Sequence, residues 1–175
     1  MLRCSGLQPD YALAGRSGTL RGMPRPTCSR CQRPLGHCLC PLIPVLESRT
    51  RVLILQHPSE VGHALNTARL AALGVRNAEL RVGEVFDDLP QLLAQSDYRA
   101  CLLFPGDEAV VLTGYVPKEK PLLLVVPDGT WRKARKLLHL NPSLAALPRV
   151  SLGAVAPSRY RLRKAPAAGA LATIE

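Results

Sequence analysis

The run Pro121-Leu-Leu-Leu-Val-Val-Pro127 constrains the fold more than any other stretch of this chain. It is apolar at successive positions rather than at every second one. It is strand-sized, far short of the roughly 18–20 residues a membrane span needs, and no other apolar run comes closer. A strand of that composition has to be covered on both faces, as in the middle of a parallel sheet. From Arg51 onward the chain repeats the theme. Val52-Leu-Ile-Leu55 is followed by helical spacing over Ala64, Leu65, Ala68, Leu70, Ala71 and Leu73, with Gly74 as a stop. Then come Glu79-Leu-Arg-Val82, a weak helix over 89–95, and Cys101-Leu-Leu-Phe104. After the strongest strand, residues 130–139 read as a helix with Trp131, Ala134, Leu137 and Leu138 on one face. Short strands alternating with helices predict an α/β fold, a mostly parallel sheet with helices on both faces. Its core has to be aliphatic, because 47% of the residues are hydrophobic and only 4% aromatic. The 175 residues suffice for one compact domain and a small appendage.

The appendage is marked by cysteines. Four of the six lie in Cys28-x2-Cys31-x6-Cys38-x-Cys40, with Pro34 and Gly36 available to turn the chain between the pairs. Four soft thiolates at this spacing can close a tetrahedral shell around a structural zinc, and a full Cys4 shell leaves no open position for catalytic water. His37 is an alternative ligand, and free or redox-active thiols are the competing reading. The paired spacing favours zinc in a reducing compartment, and hence a cytoplasmic protein. Cys101 reads as a buried core residue. Residues 1–27, with scattered Gly and Pro, read as a flexible leader, although their arginines resemble those of a transit peptide. Residues 28–48 then form the zinc-binding appendage and 49–175 the main domain.

Charge is segregated along the chain. Residues 51–128 hold seven Lys/Arg against ten Asp/Glu, whereas residues 129–174 hold nine Lys/Arg and no acid. A surface stretch without acids points to a polyanionic partner, and nucleic acid is the natural one.

Directly after the most hydrophobic strand stands Pro127-Asp-Gly-Thr-Trp131. Ligands of open parallel sheets bind beyond the carboxyl ends of the strands, so Asp128 and Thr130 stand where chemistry is expected, and Gly129 permits close backbone approach. Helix capping by Asp128 or Thr130 explains the position equally well. Trp131 is either a flat face for a base or a core anchor, the anchor being favoured by the helix face it shares with Leu138. His57 is open between capping and RNA contact, and His63 and His139 read as surface residues.

Asp128-Gly-Thr-Trp131, followed by Ala134-Arg135, resembles the D-x-T-W signature of the DTW-domain family of tRNA-uridine aminocarboxypropyltransferases. The resemblance extends to His57-Pro58, Phe104-Pro105-Gly106, Ser158-Arg-Tyr-Arg-Leu-Arg163 and Leu171-Ala-Thr-Ile-Glu175, and so spans residues 28 to 175. Each motif is weak alone; their order and spacing are specific. Ala172 departs from the Ser or Thr that is frequent there. Similar proteins also continue into a helix past the position of Glu175, so a further helix is expected that this sequence does not contain.

The resemblance implies a SPOUT-like fold whose C-terminal segment forms a trefoil knot, an exception to the unknotted-chain rule. It implies S-adenosylmethionine as donor, bound by Phe104, Pro105, Gly106 and Asp107, by Pro127, Gly129, Thr130 and Trp131, and by Leu152, Ser158 and Thr173. It implies transfer of the 3-amino-3-carboxypropyl group to N3 of a tRNA uridine, with Asp128 as candidate general base. The tRNA phosphates would be held by Arg132, Lys133, Arg135 and Lys136 and by Arg159, Arg161, Arg163 and Lys164. Two rivals remain at this stage: a SPOUT-type RNA methyltransferase, and a non-catalytic zinc-ribbon RNA-binding protein.

Overall fold

The computed structural model describes residues 26–63, 66–115 and 119–153. Their strands are β1 (Arg51–Gln56), β2 (Ala78–Val82), β3 (Arg99–Leu103), β4 (Val110–Val111), β5 (Leu122–Asp128) and β6 (Arg149–Ser151). Between them lie α1 (Ala68–Gly74), α2 (Leu89–Leu93), α3 (Leu112–Tyr115), α4 (Trp131–Leu140) and α5 (Pro142–Ala145). The strands form one six-stranded sheet in the order β2-β1-β5-β3-β6-β4, and each neighbouring pair is parallel. The expectation of a mostly parallel α/β sheet holds, with the apolar run β5 in its interior.

Side-chain alternation divides the core in two. Leu53, Leu55, Leu123, Val125, Leu102 and Phe104 face Leu89 and Leu92 of α2, Ala134 and Leu138 of α4, and Leu144 of α5. Cys101, Leu122 and Val150, with Leu103 and Leu124, face Leu112 of α3. This follows from the topology. The connections through α2 and through α4–α5 run one way across the sheet and that through α3 runs the other, so right-handed crossovers put them on opposite faces. Cys101 is fully buried, as expected, and burial pushes its thiol up to about 11.

Several expectations need correction. The strand at 122–126 continues through Pro127 to Asp128. Pairing with β3 ends at Val125 while pairing with β1 persists to Asp128, so the amide that Pro127 lacks is not needed on the β3 side. Gly74, by contrast, ends α1 as expected, and its open side meets Ile43 and Pro44. Trp131 does not join the buried face of α4. Ala134, Leu137 and Leu138 are buried there, but the indole is 45% exposed, because it opens the helix beyond the sheet edge. The elements β4, α3, α5 and β6 are two to four residues long, too short to leave a periodic signal. At the end of β6, Gly153 has φ +71°, and a Cβ there would lie 2.8 Å from Val111 Cγ1, so this position requires glycine.

Residues 154–175 lie outside the described set, and with them the expected knot, Ser158, Arg159, Arg161, Arg163, Lys164 and Thr173. Among the described residues no helix is long and apolar enough to cross a membrane.

Leu53 and Leu102 are both fully buried in the larger core, whereas Leu42 is 77% exposed. Leu53→Ala or Leu102→Ala should each cost about 2–5 kcal/mol in urea denaturation, against a change within about 0.5 kcal/mol for Leu42→Ala.

Candidate active site and metal centre

The chain leaves β1 toward β2 on one side and leaves the adjacent β5 toward β6 on the other. The carboxyl ends of β1 and β5 therefore flank a topological switch point, where crossovers diverge and open a crevice. Asp128 ends β5 there, in register with Gln56 at the end of β1, and both are buried. Asp128 Oδ2 accepts from Gln56 Nε2 at 2.9 Å and from Asn66 Nδ2 at 3.1 Å. Its carbonyl accepts from the His57 amide at 3.0 Å.

Of the two capping candidates, Thr130 is the cap. Its Oγ1 accepts from the Lys133 amide at 3.4 Å, while the Asp128 carboxylate faces the two amides. Gly129 is packed tightly, since a Cβ would come 3.1 Å from Lys133 Cβ and 3.6 Å from His57 Cβ. His57 is also a cap. Its Nδ1 accepts from the Ser59 amide at 3.2 Å, so Nε2 carries the proton that points at Glu84 Oε1, 2.8 Å away. The other Glu84 oxygen takes Lys136 Nζ at 2.6 Å. Lys136, with His57 adding to it, holds the Glu84 carboxyl below the usual range. Lys133 reaches back to the buried Glu60 at 2.8 Å.

The four basic residues of α4 are thus unequal. Lys133 and Lys136 are engaged internally, whereas Arg132 and Arg135 are exposed and have no acidic partner among the described residues. His63 and His139 are exposed, as expected.

Beyond β3, the buried Phe104 meets the edge of the Trp131 ring at 5.8 Å. Arg149, which sequence reading passed over, lies with its guanidinium 5.8 Å from the Phe104 ring. It passes so close to Gly106 that a Cβ there would be 3.0 Å from Nη1. Asp107 and Arg149 line a surface cavity of about 550 Å³ together with Glu108 and the segment 145–148. Pro127 lies in β5, and Leu152 is exposed just after β6. Phe104, Pro105, Gly106, Trp131 and Asp128 are brought to one edge of the sheet by β3 and β5; Gln56, Asn66, Glu84 and Arg149 join them without having been anticipated. Only Gln56 left a trace in the sequence, as the residue before His57-Pro58.

The cysteine cluster forms a second centre. Cys28 Sγ lies 3.6 Å from Cys40 Sγ, Cys31 Sγ lies 3.8 Å from Cys38 Sγ, and all four sulfurs fall within 4.8 Å of one another. A zinc ion with bonds of about 2.3 Å to four tetrahedral sulfurs separates them by roughly 3.8 Å, so the donor set fits zinc in size and chemistry. Backbone N–H groups of Cys31 and Arg30 bring the Cys28 thiol down to about 6. Burial opposes ionisation of Cys31, but the Arg33 and Leu39 amides outweigh it and lower that thiol too. Cys40 is pushed up to about 12, by burial first and by the neighbouring sulfurs second. Cys38 is raised as well, so two of the four thiols ionise more readily than a free cysteine and two less readily. His37 is exposed and outside the set.

Comparison with known proteins gives three results. The family model described as "DTW domain" matches residues 25–175. The curated relatives include tRNA-uridine aminocarboxypropyltransferase 2 of Mus musculus, 33% identical over 97% of this chain and 64% of the relative. The protein of that name from Drosophila melanogaster is 34% identical over 86% of this chain and 63% of the relative. A tRNA-uridine aminocarboxypropyltransferase A of Arabidopsis thaliana is 27% identical over 86% of this chain and 69% of the relative. The chain therefore spans less than two thirds of the length of the mouse and fly relatives. No solved structure matches it.

The sulfur geometry generates a test. Protein purified under reducing conditions should carry one equivalent of zinc by elemental analysis. Cys28→Ser should lose it, His37→Ala should keep it, and a strong chelator should lower the melting temperature of the wild type by several degrees.

Proposed function

Because this chain belongs to the DTW-domain family, we propose that it transfers the 3-amino-3-carboxypropyl group of S-adenosylmethionine to N3 of a tRNA uridine, releasing methylthioadenosine. The observation that carries the reading is the Asp128 carboxylate, buried at a topological switch point and held by two side-chain amides beside the half-exposed Trp131. S-adenosylmethionine supplies the electrophile, a carbon attached to a sulfonium that leaves as a neutral thioether. The chain's part is to choose the γ-carbon of the methionine arm over the methyl carbon, which is a matter of positioning.

The described residues fit such a donor in kind. Trp131 offers an exposed aromatic face next to Phe104 for adenine or uracil, and the Gly106 and Gly129 backbones allow close approach. In the transfer, N3 gains the bond to the γ-carbon, the carbon–sulfur bond breaks with its electron pair passing to sulfur, and the N3 proton goes to Asp128. The uracil has to leave any stack to be reached, which favours a loop nucleotide. Arg132 and Arg135, exposed on α4, and the arginines at 159, 161 and 163 would hold phosphates. We read the full domain as SPOUT-like, with residues 154–175 supplying the knot, the Cys4 set as a structural zinc site, and the protein as cytoplasmic, on the strength of thiols spaced for metal rather than disulfides.

Two tests follow from this reading. Asp128→Asn preserves shape and removes the charge. Single-turnover transfer at saturating donor and tRNA should fall by about 10²–10⁴ with an unchanged melting temperature, whereas a rate within a few-fold of wild type would remove Asp128 from the chemistry. Reversing charge at both Arg132 and Arg135 should weaken tRNA binding and reduce the slope of log affinity against log salt by roughly two, with donor affinity intact. Unchanged tRNA affinity would show that this face of α4 does not meet RNA.

A further inference from the structure

The hydrogen bonds around Asp128 lead away from the sheet edge and into the cysteine loop. Both amides that reach the carboxylate bond the same oxygen, Oδ2, which fixes rotation of the group about its Cβ–Cγ bond. Gln56 does so from the neighbouring strand, in register with Asp128 and 3% exposed. Asn66 does so from the start of α1, and its amide serves two ends. Its Oδ1 accepts from the Ala68 amide at 3.1 Å, capping the helix, and this leaves Nδ2 to donate to Asp128. Asn66 is itself held, because Arg33 donates from Nη2 to the Asn66 carbonyl at 2.6 Å. Arg33 lies between Cys31 and Cys38, in the loop whose buried sulfurs pack against Leu70 and Leu73 of α1.

We propose that Gln56 and Asn66 are positioning residues that set the orientation of Asp128, and that Arg33 ties this clamp to the cysteine module. The proposal rests on the reading of Asp128 as proton acceptor. Its physical content is that a carboxylate taking an N3 proton has to be held in a fixed orientation, and the two donors on Oδ2 help to set it. The cysteine module then belongs to the scaffold of the reaction site. Of the charged side chains near by, His57, Glu84 and Lys136 are joined to one another, as are Glu60 and Lys133, while Arg149 lies against Phe104.

Two isosteric variants test this in the full, metal-loaded chain. Asn66→Asp keeps the helix cap and Gln56→Glu keeps the side-chain shape, but each sets a second carboxylate where a donor had been. Single-turnover transfer from S-adenosylmethionine to tRNA from cells lacking the enzyme should slow by about tenfold or more at neutral pH, and the acid limb of the pH–rate profile should move to higher pH, because adjacent carboxylates resist joint ionisation. Donor affinity by calorimetry should stay within a few-fold. Any loss of melting temperature in Asn66→Asp should be recovered in the double variant Asn66→Asp/Asp128→Asn, where donor and acceptor are exchanged, although transfer stays slow. Arg33→Met should slow transfer several-fold at unchanged zinc content. If Asp128→Asn is slow but the pH–rate profiles of Asn66→Asp and Gln56→Glu superimpose on wild type, the clamp is merely structural and this inference falls. If Asp128→Asn itself turns over normally, the reading beneath it falls as well.

Discussion

The parallel pairing of β1 with β5 is the constraint on which the rest of the structure depends. Its register sets Leu53 beside Val125 and Gln56 beside Asp128. The first pair belongs to the larger core, and the second ends the same two strands at the crevice, so one set of backbone hydrogen bonds fixes both the packing and the position of the carboxylate. A one-residue slip would turn Leu53 and Leu55 out of the core and separate Gln56 from Asp128 together. Packing and site geometry are therefore enforced by the same free energy. A buried carboxylate without donors is costly, and it is tolerated here because the neighbouring strand brings a donor with the register.

The legibility of the sequence tracks the range of the interaction. The strands at 52–55, 79–82, 101–104 and 122–126 were readable because an apolar run is a local signal, and α4 because its buried positions recur at helical spacing. The Asp128 site was readable as a location, since a polar group directly after a buried strand stands at the sheet edge. Its partners were not. Gln56 and Asn66 lie 72 and 62 residues from Asp128, and nothing in their own neighbourhoods marks them as donors to it. Thr130 and Asp128 competed as caps on paper because both side chains suit the role; tertiary contacts from β1 and α1 decided between them. Trp131 was misplaced because helical periodicity gives a face but not how far the helix runs past the sheet.

The same limit applies to charge. Absence of acids between residues 129 and 174 reads as one basic surface, yet the acids of the middle segment fold back onto it. Glu60 engages Lys133 and Glu84 engages Lys136, while Arg132 and Arg135 stay exposed. The basic helix therefore has a lysine side that binds it to the loops after β1 and β2 and an arginine side available to a polyanion. This division suits the chemistry of the two side chains. A lysine is a point charge that one carboxylate can satisfy, whereas a guanidinium offers a planar fork matched to phosphate.

The cysteine module has too little apolar surface to hold its own shape. Its buried residues are Cys28 and Cys31, and the rest of its packing comes from half-buried neighbours such as Leu39 and Ile43 and from Leu70 and Leu73 of α1. Four sulfurs crowded this closely can hold a cation, and the loop also docks against α1. The docking is reciprocal. α1 is only seven residues long, too short to be stable alone, and it is fixed by the loop on one side and by the Asn66 cap at its start. A short helix held at its flank by the cysteine loop, and at its first turn by a residue bonded to Asp128, has little freedom to shift without moving both. The cysteine cluster and the Asp128 carboxylate are thus linked through α1 and two hydrogen bonds, which is why the module is physically continuous with the sheet edge although the sequence presents it as an appendage.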